Sequence, residues 1–157
     1  MPPPIKVYEA IGAIGDGRVR AVDDNDAPRA WDVGSSDGAK TYRVELSADG
    51  REINSNDNAS YWQGYLGYPA IAVLMTRGTL SASAAATRAL AGIPWKELNR
   101  RFKNDYARTT AEVARIVKER GAGFDAIRAE AGAILEALAA LGLERGARRR
   151  PPRESAG

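Results

Sequence analysis

The spacing of apolar and polar positions changes character near residue 54. Before it, Ile5, Val7, Glu9, Ile11 and Ala13 alternate with Lys6, Tyr8 and Ala10, the period of two expected of a pleated strand. Gly15-Asp16-Gly17 interrupts the run and Arg18 to Val22 resumes it, which predicts a hairpin. Asp23 to Pro28 reads as a loop, and Trp31 and Val33 as a short edge strand. The clearest strand is Lys40 to Ser47, with Tyr42, Val44 and Leu46 on one face and Thr41, Arg43 and Glu45 on the other. Ala48-Asp49-Gly50 turns it back into Arg51-Glu52-Ile53, with glycine where a positive φ is needed.

Beyond Asn54 the period lengthens to that of helices. Ser60 is placed to cap a short helix, and Pro69 to open one over 69–77 that is apolar on every side and therefore buried. Ser81 precedes a helix over 82–91. Pro94 then opens the longest periodic run, in which Trp95, Leu98, Phe102, Tyr106, Thr109, Val113 and Ile116 recur at steps of three and four to residue 120. After Gly121-Ala122-Gly123, a last helix over 124–142 carries Phe124, Ile127, Ala131, Ile134, Leu135, Leu138 and Leu141. The short join makes the last two helices an antiparallel hairpin. The expected fold class is α+β: a small, mostly antiparallel N-terminal sheet over about 4–56, then four helices. The last two form a long hairpin packed on one face of the sheet. One domain spans 1–143, β-rich over 1–58 and helical over 59–143, followed by an Arg/Pro-rich flexible tail over 144–157. Its expected core is Tyr42, Val44, Leu46, Trp95, Leu98, Phe102, Val113, Ile116, Ile127, Ile134 and Leu138.

Composition narrows the chemistry. The 157 residues include no cysteine and no histidine. This excludes cysteine nucleophiles, disulfides, thiolate or imidazole metal sites and every histidine-based triad. The net charge of +3 is unevenly spread: residues 1–60 carry −4, 61–123 carry +6, 124–143 carry −2 and 144–157 carry +3. The start of the chain lacks the basic and apolar regions of a signal peptide, and the run Ala70–Met75 is too short to cross a bilayer. A cytoplasmic location with no membrane partner is expected.

Four groups of residues invite a functional reading. Gly12, Gly15 and Gly17 form a glycine cluster, but with GxxGxG spacing and a strand expected next it lacks the helix N-terminus that would hold a phosphate. Asp23, Asp24 and Asp26, and the Asn54–Asn58 loop with Asp57, are rich in oxygen but lack calcium-loop spacing, so no metal and no cofactor is expected. Glu45 and Glu52 flank the second hairpin and invite comparison with a carboxylate pair in acid/base chemistry, but with Arg43 and Arg51 beside them they read as solvated residues of the outer face. Tyr61, Trp62, Tyr65 and Tyr68 make an aromatic segment suited to a subunit interface.

Charge on the long helix gives the sharpest expectation. Glu97–Arg101, Arg101–Asp105, Arg108–Glu112 and Arg115–Glu119 form a self-compensating ladder on one flank. The other flank carries Lys96, Arg100, Lys103 and Lys118 between alanines, open to a phosphate backbone or an acidic protein. The tail adds Arg148, Arg149, Arg150 and Arg153, whose planar guanidinium groups suit phosphate and carboxylate. The expected function is a non-catalytic binding module that contacts nucleic acid or an acidic protein through these residues. The alternatives are a homodimer formed through the aromatic segment or the helical hairpin, and an enzyme using carboxylates with Mg²⁺.

Overall fold

In the computed structural model, residues 1–23, 28–147 and 149–154 are described. Helix α1 (Pro4–Gly15) is followed by β1 (Val19–Ala21), β2 (Ala30–Gly34), β3 (Thr41–Leu46), β4 (Glu52–Ser55) and a π-helical turn, Ala59–Gln63. Then come α2 (Tyr68–Thr76), α3 (Ala84–Leu90), α4 (Trp95–Arg101), α5 (Tyr106–Glu119), α6 (Phe124–Ala140) and β5 (Glu144–Arg145). The strands form one sheet in chain order, antiparallel throughout except for the parallel pair β4–β5. The fold is α+β.

The opening segment departs furthest from expectation, because residues 4–15 form a helix and not a strand. Ile5, Val7, Tyr8, Ala10, Ile11 and Ala13 are all buried, and so are Glu9 and Gly12. A helix covered on nearly every side needs no polar stripe, so its apolar residues can fall on alternate positions and imitate a strand. Proline at the first helical turn was the opposing signal. The expected first hairpin gives way to a helix C-cap at Asp16, and β1 pairs with β2, Val19 opposite Val33. Trp31 and Val33 consequently lie in an inner strand and not at an edge. The second hairpin forms as its pattern predicts, with Leu46 opposite Ile53 and Gly50 at φ 72°.

Trp31, Val33, Tyr42, Val44, Leu46 and Ile53 make up the buried face of the sheet. Helix α2 covers that face, α1 packs on α2, and α3 and α6 close over α1. The expected cover, a hairpin of 94–120 with 124–142, is thus replaced by a helix apolar enough to be buried in the middle of the molecule. Close approach around α1 depends on Gly12, where a Cβ would lie 2.6 Å from Trp95 Nε1 and 3.2 Å from the Leu90 carbonyl oxygen. Phe124 of α6 meets Tyr8 with ring centroids 5.1 Å apart.

The expected helix over 94–120 is two helices. Lys103 and Asn104 take left-handed conformations, φ 53° and 61°, and Asp105 caps α5 by accepting a hydrogen bond from the Arg108 amide at 3.2 Å. Asparagine tolerates the left-handed region and aspartate is a strong N-cap, so this pair breaks a run whose apolar spacing continues undisturbed. Phe102 and Ile116 are only partly buried as a result. Ser83, two residues later than expected, caps α3 by accepting from the Ala86 amide.

Candidate functional site

Residues from α1, the turn after β2, the segment 57–68, and α4 with its joint to α5 surround a cleft of about 290 Å³. Glu9 lies in its floor, 4% exposed. One helical turn earlier, Lys6 brings its Nζ to 3.5 Å from Glu9 Oε1, and Asn99 Nδ2 donates to the same oxygen at 3.4 Å. Burial pushes the Glu9 carboxyl up, against the pull of Lys6 and Asn99. Burial also opposes the charge on Lys6, but Glu9 and Tyr106 outweigh it and raise its pKa. The ammonium sits 5.0 Å from the centroid of the Tyr106 ring, a cation–π arrangement. The Asn99 Oδ1 is buried without a hydrogen-bond partner.

Tyrosines form one wall. Tyr68 stands edge-on to Tyr42 at 6.2 Å and donates its hydroxyl to the Gly34 carbonyl at 3.5 Å, with Arg18 5.8 Å from its ring. Burial pushes the Tyr42 phenol up to about 12, with Asp57 and Glu9 adding to it, and pushes Tyr68 higher still. Both phenols therefore remain protonated hydrogen-bond donors at neutral pH. Asp57 is occupied locally: it accepts from the Ser60 amide at 3.0 Å, the Ser60 hydroxyl at 2.8 Å and the Ser55 hydroxyl at 2.5 Å. These bonds tie down the π-helical turn, and Gly67 leaves room for them, since a Cβ there would collide with the Asp57 carboxylate.

The mouth is cationic. Helix α4 is anchored at its start by Ser36, whose hydroxyl oxygen accepts from the Lys96 amide at 2.9 Å. The Lys96 ammonium lies 3.2 Å from Asp37 Oδ2 and 2.7 Å from Glu154 Oε1, and Arg100 Nη2 is 4.0 Å from the same Glu154 oxygen. Burial disfavours the charge on Asp37, but the Ala39 amide, the Ser35 hydroxyl and Lys96 together bring its carboxyl down to about 2.

The residues singled out from the sequence are distributed unevenly around this site. Lys96 and Arg100 line the mouth, with Trp62, Tyr65 and Tyr68. Tyr61 packs edge-on against Trp62 at 4.6 Å but does not line the cleft, and Trp62 itself is 68% exposed. Lys103 sits on the left-handed joint and Lys118 on α5, both exposed, so the expected continuous basic flank is split between two helices. The ladder survives at Arg115, paired with Glu119 at 2.6 Å and Glu112 at 2.5 Å, while Asp105 serves as a cap. Glu45 is opposite Asn54 and not Glu52, so those two carboxylates do not face each other. Arg149 pairs with Glu45 at 2.8 Å, Arg150 and Arg153 are exposed, and Arg148 lies outside the described residues. The tail supplies β5 at its start and reaches Lys96 through Glu154.

Lys6, Glu9, Arg18, Asn99 and Tyr106 were not anticipated. Reading α1 as a strand put Lys6 and Glu9 on opposite faces, whereas a helix sets residues three apart side by side. Among the described residues no group of three or more Asp or Glu side chains is arranged to hold a metal. Asp24 and Asp26 lie outside the described residues. Cationic side chains, aromatic rings and one buried carboxyl thus share a single cleft. Against known proteins, no curated protein and no solved structure matches the chain. A family model matches residues 1–144, which include every residue lining the cleft, and the chain belongs to that family, described as Uncharacterised conserved protein UCP014422.

Proposed function

We propose that the protein is a binding protein whose cleft takes an anionic, ring-bearing ligand of nucleotide size, either a free mononucleotide or the exposed end of a nucleic-acid strand. The observation that carries this reading is convergence: five cationic and six aromatic side chains, against two acids, line one cleft of about 290 Å³. Both acids are already engaged, Asp57 by serines and Glu9 by Lys6 and Asn99. Lys6, Arg18 and Lys96 are in turn ion-paired with Glu9, Asp16 and Asp37, so Lys40 and Arg100, beside Lys96, are the least engaged cations of the lining and the ones that suit a phosphate or carboxylate. The aromatic side chains of Trp62 and Tyr65, which line the cleft, suit a planar partner. The volume lies at the lower end of the range for small-molecule sites, so it fits one nucleotide and not a duplex. This narrows the expected nucleic-acid contact from a helix flank to a concave site, and favours it over an acidic protein surface.

Isothermal calorimetry with ribonucleoside monophosphates, the matching nucleosides and inorganic phosphate tests the reading. Fluorescence anisotropy with short single strands, with and without a 5′-phosphate, extends it to strand ends. Monophosphates are expected to bind about tenfold or more tightly than nucleosides, as a charge-assisted contact implies. Lys96→Ala should remove most of that advantage, and Trp62→Ala should weaken nucleotides while leaving inorganic phosphate unchanged. Equal affinity for nucleotide and nucleoside, or no binding by any of these at millimolar concentration, overturns the reading.

A further inference from the structure

We infer that the segment following β5 is a strap whose Glu154 carboxylate occupies the place of the ligand's anionic group, so that a ligand enters by displacing it. The inference rests on the cleft reading above and adds how that site is regulated. The strap is fastened at its root: the Glu144 amide donates to the Arg51 carbonyl at 2.8 Å and the Gly146 amide to the Ile53 carbonyl at 2.9 Å, extending the sheet by β5. It is held again midway, where Arg149 meets Glu45 near the end of β3 at 2.8 Å. Its far end reaches the cleft mouth, with Glu154 at 2.7 Å from Lys96 and 4.0 Å from Arg100, and Lys40 adding to the attraction.

Geometry accounts for this path. Arg149 and Glu154 are five steps apart along the chain, as are Glu45 and Lys40, a span of about 16–18 Å in extended chain. Pro151 and Pro152 favour an extended backbone and are partly buried along the way. The strap can therefore follow β3 from one end to the other and deliver a carboxylate to the cationic mouth. The terminal contact depends on charge and not on burial, since the Glu154 side chain is 55% exposed. Exposed ion pairs are weak, so an anion making two or three charge-assisted hydrogen bonds can replace it. A carboxylate with two acceptor oxygens also indicates what the mouth accepts: a carboxylate or a phosphate.

The test uses the full-length chain, with inorganic phosphate as probe and affinity read by calorimetry. Glu154→Gln keeps the size of the side chain and removes its charge. Glu136→Gln, on an exposed position of α6, makes the same change in net charge away from the cleft. Glu154→Gln is expected to tighten phosphate binding about two- to fivefold, the range an exposed ion pair spans, while Glu136→Gln leaves it unchanged. In the unaltered protein, Lys96 and then Lys40 and Arg100 hold the Glu154 carboxyl below its ordinary value of 4.5. Saturating phosphate should let its NMR titration move back toward 4.5, the reciprocal effect that linkage requires. Equal phosphate affinity in Glu154→Gln and the unaltered chain overturns the strap and leaves the cleft reading intact. No phosphate binding by either chain, with nucleotides also failing to bind, overturns both.

Discussion

Glu9 is a carboxyl removed from water and answered by one lysine and one amide. Because burial raises its pKa above the ordinary 4.5, the folded protein holds this proton more tightly than the unfolded chain does. Below 4.5 both states are protonated and the group costs nothing. As pH rises through 4.5 and on through the raised folded value, ionising Glu9 in the fold progressively subtracts stability. Glu9→Gln is therefore expected to gain in melting temperature relative to the unaltered protein as pH is raised from about 4 to about 8. Circular dichroism melts across that range would show it. A difference that stays constant with pH would mean that Glu9 ionises in the fold as it does in the unfolded chain. Lys6 and Glu9 escaped the sequence reading because their neighbours alternate, and alternation is also what a helix buried all round permits.

At the scale of elements, the joint between α4 and α5 brings Asn104 and Tyr106 into the site. Without it the 94–120 segment would run straight, and Asn104 and Tyr106 could not turn back to line the same cleft as Lys96 and Arg100. Three consecutive residues carry it, Lys103 and Asn104 in left-handed backbone and Asp105 capping the next helix. Asp105→Ala is expected to cost about 1 kcal/mol, within the roughly 0.5–2 kcal/mol range of lost N-caps. Urea unfolding followed by circular dichroism measures this, and a loss near zero would show that α5 starts without the cap. The Asn-Asp pair was visible in the sequence, but Phe102 and Tyr106 keep helical spacing across it, so periodicity alone read through the break.

At the scale of the whole molecule, charge decides how the site meets a ligand. The acidic first sixty residues and the basic middle of the chain are brought together at the cleft mouth, where Asp37 faces Lys96. Arg100, with its side chain 70% exposed, is the cation of the rim most open to solvent. Exposed charges are screened over about 8–10 Å near physiological salt. Nucleotide affinity should therefore fall as sodium chloride is raised from about 50 to about 300 mM, measured by calorimetry at fixed pH. Affinity that ignores salt would shift recognition from the rim to the phenols and Asn99.

What the sequence determined by itself is local. Alternation at Tyr42, Val44 and Leu46 with a glycine turn specifies the β3–β4 hairpin, because pleat and turn chemistry act over a few residues. Apolar spacing at Phe124, Ile127, Ala131 and Ile134 specifies α6 in the same way. The absence of histidine and cysteine sets the chemistry available. Tertiary structure decided the rest. Whether residues 4–15 form a strand or a helix depended on α2, α3 and α6 surrounding them, since burial on all sides erases the periodicity that distinguishes the two. The cleft likewise gathers residues from 6 to 106, and the strap adds one from 154. No local pattern encodes that meeting, which arises only when packing of apolar faces brings distant segments side by side.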